Sequence, residues 1–124
     1  MEQVRVCALG GLDENGKNLF VIEINETIFI VEAGFKYPEM NQLGIEHIIP
    51  DLDYIGDNRD RVKGIFVTHG HDDVMGALPY LLKEVDAPIF TTPMTGKIIQ
   101  EYVSKFTEKK VQIKLFNIVL SLLA

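Results

Sequence analysis

A chain of 124 residues has room for one domain or a piece of one. Hydrophobic residues make up 47% of it and charged residues 24%, which excludes a disordered or fibrous chain and supplies the material for a core. The net charge of −6 argues against a free-standing nucleic-acid binder, which needs a basic face.

A single cysteine excludes an internal disulfide framework, as suits a reducing cytoplasm. The start, "MEQVRVCALGG", has neither the basic opening nor the apolar centre of a signal peptide. No apolar run approaches the ~20 residues needed to cross a bilayer. A soluble, cytoplasmic α/β protein with no membrane contact is therefore expected.

In chain order, "VRVCAL" at 4–9 reads as a first strand, with Cys7 buried in it. "GGLDENGKN" is a loop of Gly, Asp and Asn. "NLFVIEIN" at 18–25 and "TIFIVEA" at 27–33 are apolar and β-branched. The short link at Asn25-Glu26 makes them an antiparallel hairpin, covered on at least one full face. Residues 34–60 are irregular but too apolar for a linker, so they must pack on something.

"GIFVT" at 64–68 is again a strand. "GALPYLLKEV" follows as a helix, with Leu78, Leu81, Leu82 and Val85 at helical spacing and Pro79 in its first turn. "PIFTT" at 88–92 is a short strand. A helix over roughly 94–106 carries an apolar stripe of Ile98, Ile99, Tyr102, Val103 and Phe106, and "VQIKLF" at 111–116 is a last strand. The order expected is β-β-β-α-β-α-β in a mixed sheet. The final "NIVLSLLA" is apolar and uncapped, and a sheet of this pattern needs a further layer on its inner face. The chain reads as the front part of a larger fold, prone to aggregate alone because core surface stays uncovered.

The chemistry gathers in "THGHDDVMGALPYLL". His69, His71, Asp72 and Asp73 occupy the loop at the C-terminal end of a strand, the usual ligand position of open α/β sheets. Alternate residues of an extended segment point the same way, so His69, His71 and Asp73 can converge. Two imidazoles and a carboxylate suit zinc or a similar divalent ion. The bland alternative, two surface histidines in a polar turn, fits poorly between a buried strand and a helix. His47 in "IEHIIPD" has no such company and reads as a structural or solvated residue. The glycine-rich "GGLDENGKN" lacks the GKS or GKT ending of a phosphate loop and precedes a strand; it reads as closing the loop around the cleft.

These residues resemble the His-x-His-x-Asp-His motif of the metallo-β-lactamase fold. "LGGLDENGKNLFVIE", "VEAGFKYPE" and "LGIEHIIPD" narrow the resemblance to the start of ribonuclease J, over residues 4 to 116. That resemblance implies an αββα sandwich of which residues 1–124 supply the N-terminal portion of the metallo-β-lactamase domain. On that resemblance the β-CASP insertion and C-terminal domains are expected to fall beyond residue 124, absent from this chain. It implies RNA processing and decay by phosphodiester hydrolysis, endonucleolytically and from the 5′ end, with two zinc ions. His69 and His71 would bind one ion. Asp73 would bind the second and position the attacking hydroxide.

Two positions depart from the pattern. Val74 stands where the family has its next histidine, and valine has no lone pair to offer. Glu32, in "VEAG", stands where active members usually have Asp, at the base of the loop. The group contains a paralogue with a degraded motif, weak in activity and found in complex with the active enzyme, and this sequence resembles it most, particularly in "GALPYLL" and "FKYPE". Gly44 and Glu46, in "LGIE", match positions that hold a structural cation such as Ca²⁺ in some members. The functional expectations are thus a metal-dependent ribonuclease, weak or inactive in this chain. The alternatives are a non-catalytic partner subunit in an oligomer with a ribonuclease J paralogue, or another hydrolase of the fold acting on thioesters or lactams.

Overall fold

The computed structural model describes residues 2–116, so the apolar tail singled out above lies outside the described residues. Six strands form one sheet in the order of the sequence: β1 (Val4–Gly10), β2 (Leu19–Ile24), β3 (Thr27–Val31), β4 (Val62–Phe66), β5 (Ile89–Thr91) and β6 (Ile113–Leu115). β1, β2 and β3 pair antiparallel, and β3, β4, β5 and β6 pair parallel. The β2–β3 link is the hairpin expected at Asn25-Glu26, where Ile24 faces Thr27 across the turn.

Each parallel step needs a crossover, and each crossover carries helix. Between β3 and β4 lie α1 (Asp53–Asp57) and a 3-10 turn (Arg59–Arg61). Between β4 and β5 lie α2 (Asp72–Met75) and α3 (Leu78–Glu84), and between β5 and β6 lies α4 (Pro93–Ser104). All six strands read from the sequence are found; the expected order β-β-β-α-β-α-β leaves out one of them, and the helix it misses is α1 between β3 and β4. α1 offers only Ile55 and Gly56 to the interior, too little for a helical period to show. α4 also ends before Phe106, and its stripe is narrower than the sequence suggests. Ile99 and Val103 are fully buried, whereas Ile98 and Phe106 are exposed.

Right-handed crossovers that all step in one direction put every helix on one face of the sheet. The core shows this arrangement. Leu19, Val21, Ile28, Ile30, Ile65, Val67 and Ile89 of the sheet pack with Ile55, Met75, Leu78, Leu81, Val85, Ile99 and Val103. The alternate residues form the other face. Phe29, Phe66 and Phe90 run across it, with ring centroids 6.0 and 4.9 Å apart, only half-buried. Val4, Val6 and Ile24 continue this face and are exposed. Cys7 is exposed as well, which corrects the expectation that it is buried. Among the described residues β1 is an edge strand with a neighbour on one side only, and an apolar run there does not imply cover.

The 34–60 stretch is packed, as its composition required. Lys36 and Ile48 form an isolated antiparallel bridge, and His47 stacks on Phe35 at 4.1 Å between ring centroids.

Candidate metal centre

The centre is built where β4 leaves the sheet. Val67 is still held by β5, its N–H donating to the Phe90 carbonyl at 3.1 Å and its carbonyl accepting from the Thr91 hydroxyl at 2.9 Å. At Thr68 the chain turns out. Its N–H donates to the Glu32 carboxylate at 3.4 Å, and its hydroxyl lies 2.8 Å from His69 Nδ1. His71 is extended and caps α2, its carbonyl accepting from the Val74 and Met75 N–H groups.

The extended backbone brings His69, His71 and Asp73 together, as the alternation required. One ligand atom from each lies within 4.8 Å of the others, and the imidazole rings are 4.7 Å apart at 83°. Both histidines are exposed and Asp73 is half-buried. In the tautomer with Nδ1 protonated, His69 would donate to the Thr68 hydroxyl and keep an Nε2 lone pair for a metal. Two nitrogens and an oxygen in an open cluster fit one borderline divalent ion that keeps exchangeable positions.

Val74 adds nothing to this donor set. It is 5% exposed, its N–H is taken by His71, and its carbonyl accepts from Ala33 at 2.7 Å. Among the described residues, His69, His71 and Asp73 are the one group of three or more His, Cys, Asp or Glu close enough to share an ion. Gly44 and Glu46 stand outside it on an exposed loop, and a Cβ at Gly44 would meet open space.

Glu32 lies beneath the loop, 6% exposed. Burial raises its pKa; the hydrogen bonds from Thr68 and the neighbouring His69 oppose that, and Asp73 adds to it. Its backbone has φ +70°, a left-handed conformation that costs a non-glycine residue ~1–2 kcal/mol, and its N–H bonds to the Phe66 carbonyl at 2.8 Å. Strain of this kind gathers at functional sites, where the surrounding structure holds it in place.

Two features beside the loop were not singled out from the residues themselves. Segment 33–35 is laced to α2 by Ala33 N–H to the Val74 carbonyl and Phe35 N–H to the Asp72 carbonyl at 3.0 Å. Gly34 sits so close that a Cβ there would fall on the Asp73 carbonyl. Tyr37 borders a cleft of about 410 Å³ together with Asn15, Phe35, His71 and Asp73, and its hydroxyl donates to Asp72 at 2.9 Å. That carboxylate raises the phenol's pKa. The sequence signal was "AGFKY", whose glycine and aromatics carry no chemistry until the loop lies beside them.

Residues 12–119 match the family profile of the metallo-beta-lactamase superfamily. Ribonuclease J 2 of Streptococcus pyogenes is 47% identical over 110 residues, 89% of this chain and 20% of that protein. Ribonuclease J2 of Bacillus subtilis is 47% identical over 105 residues, 85% of this chain and 19% of the relative. Ribonuclease J 2 of Staphylococcus aureus is 38% identical over 112 residues, covering 90% and 20%. The chain thus spans about a fifth of the length of the curated relatives it matches.

Solved structures agree on the fold. The Rm3 metallo-beta-lactamase superposes with TM-score 0.56 at 15% identity, covering 90% of this chain and 42% of its own. The short form of human tRNase Z gives 0.54 at 18% identity, covering 90% and 44%. The expected mixed-sheet α/β layer is the one found. The chain belongs to the metallo-beta-lactamase superfamily, and over about a fifth of their length it is similar, at 38–47% identity, to curated relatives named ribonuclease J2.

Proposed function

We propose that this chain carries the N-terminal portion of a metal-dependent ribonuclease domain of the J lineage, and that alone it cuts RNA weakly or not at all. The observation behind this is the pairing of an assembled His69, His71 and Asp73 cluster with a valine at position 74. The names of the relatives supply the substrate, RNA, and the donor set favours zinc. The lineage further suggests RNA processing and decay, rRNA included, by 5′ exonucleolytic and endonucleolytic cutting in the cytoplasm.

A bound divalent ion would supply Lewis acidity and lower the pKa of water at the cleft. The chain's own groups do the rest. His69 and His71 would hold the ion, with the Thr68 hydroxyl 2.8 Å from His69 Nδ1 orienting that ring. Asp73 borders the cleft and completes that three-donor position, and by the family pattern it is also the group that would reach a second ion. Where active relatives of the motif have histidine, Val74 leaves that second position short of a donor, and an ion held by fewer ligands binds less tightly. Gly44 and Glu46 remain candidates for a structural Ca²⁺ only with oxygen partners beyond this cluster.

Val74 also favours a second reading, a non-catalytic subunit kept for assembly with an active paralogue. The likeness to ribonucleases at 38–47% identity, against 10–18% for the lactamases, tRNase Z and flavodiiron structures, weighs against a lactam or thioester hydrolase. The test is to incubate the purified chain with zinc and end-labelled RNA, beside His71→Ala. No cleavage above the variant's background is expected. Metal-dependent cleavage that His71→Ala abolishes would contradict the assignment of a weak or inactive chain.

A further inference from the structure

The glycine-rich loop between β1 and β2 closes on the centre through one residue, and the reading of the site given above has no use for it. Asn18 donates to the Asp73 carbonyl twice, from its side-chain amide at 2.9 Å and from its backbone N–H at 3.2 Å. Its own carbonyl accepts from the Gly34 N–H at 2.9 Å. One residue, through its side-chain amide and its backbone, thus ties the loop before β2, the segment after β3 and the metal-loop helix together, with Asn18 and Asp73 55 residues apart in sequence.

The loop around it is shaped for that purpose. A Cβ at Gly10 would fall on the Lys17 carbonyl, and one at Gly11 on the Asn18 side chain, so only glycine lets the two ends of the loop approach. Lys17 has φ +58° and donates its N–H to the Phe35 carbonyl at 3.0 Å, which turns Asn18 toward Asp73. A carbonyl has two lone pairs, and Asn18 addresses the Asp73 carbonyl with two donors. Fixing that peptide fixes the Cα–Cβ direction of Asp73, and so where its carboxylate points relative to His69 and His71.

We infer that Asn18 is a positioning residue for the metal centre: its double hydrogen bond to the Asp73 carbonyl sets the carboxylate of Asp73 in the geometry that lets His69, His71 and Asp73 share one divalent ion. This rests on the reading of those three residues as a metal site. Groups that orient metal ligands typically change affinity 10- to 100-fold when removed.

The test titrates Co²⁺ into the 124-residue chain, reading its visible absorption, for wild type, Asn18→Ala, Asn18→Asp and His71→Ala. A core variant, Ile89→Val, serves as a control for stability. Wild type and Ile89→Val bind alike, His71→Ala does not bind, and both Asn18 variants bind 10- to 100-fold more weakly, because neither keeps the side-chain donor. Asn18 variants that bind as wild type does overturn the inference. So does an Ile89→Val affinity that falls as far as that of Asn18→Ala, since the effect would then follow stability rather than position.

Hydrogen exchange in metal-free protein separates this inference from the metal reading itself. Asn18→Ala speeds exchange of the Ala33, Gly34 and Phe35 amides at least tenfold and leaves those of β3 and β4 unchanged. A folded wild type that ignores Co²⁺ would sink the metal reading. Unchanged exchange at those three amides would sink the role of Asn18.

Discussion

Gly34→Ala is the sharpest probe of how the centre is held. The glycine lies against the Asp73–Val74 peptide; an added Cβ would fall on the Asp73 carbonyl and 2.8 Å from the Val74 nitrogen. Carbon needs about 3.5 Å, so segments 33–35 and 72–77 must part by ~1 Å or more. Parting them breaks the bonds from Ala33 to Val74 and from Phe35 to Asp72 and strains those from Asn18 to Asp73. At about 1 kcal/mol for each of two or three bonds, with ~1–3 kcal/mol for overpacking, the loss is about 3–6 kcal/mol. Restricting the unfolded chain returns only ~0.4–1 kcal/mol. Against a typical domain stability of ~5–15 kcal/mol, that is a large share.

Gly44→Ala gives the contrast, because it adds its Cβ to open space and costs only the ~1–2 kcal/mol of a left-handed alanine at φ +82°. Urea unfolding followed by circular dichroism reads both. Gly34→Ala should lower the midpoint at least twice as far as Gly44→Ala does. A Gly34→Ala chain as stable as wild type would refute the close-approach argument.

Three further outcomes follow from the same contacts. Tyr102→Phe removes a 2.8 Å bond to the Gly76 carbonyl and should cost about 1 kcal/mol in urea unfolding. It should also remove the phenol whose pKa burial pushes up to about 12, read by ultraviolet titration. Glu32 has its folded pKa raised by burial, so its contribution to stability is full below the unfolded value of ~4.3 and is lost as pH rises through the folded value. Metal-free Glu32→Gln should therefore gain on wild type in urea midpoint between about pH 4 and pH 7, and a constant difference would count against the burial argument. Val74→His puts a larger side chain at a buried position and should cost ~1–3 kcal/mol without metal. Zinc should recover part of that loss, as thermal unfolding with and without zinc would show.

Much of this was legible in the residues. The apolar runs of β2 and β3, the hairpin between them and the alternation of His69, His71 and Asp73 are local patterns, and local patterns survive translation into structure. What escaped depends on distant partners. Cys7 lies in as apolar a run as Val21, but only the strand order tells an edge from a centre. α2 is four residues long, too short for a period to show. The left-handed backbone of Glu32 and the close approach of Gly34 belong to a segment that reads as loop until α2 lies against it. Asn18 looks like a strand-start residue, since its two donors matter only once Asp73 is beside them.

The central claim is that this chain assembles one three-donor metal position and leaves a second one short at Val74. Native mass spectrometry of the chain equilibrated with zinc tests it most directly. One ion per chain is predicted for wild type and none for His71→Ala. Two ions on wild type, or a His71→Ala variant loaded like wild type, would contradict it.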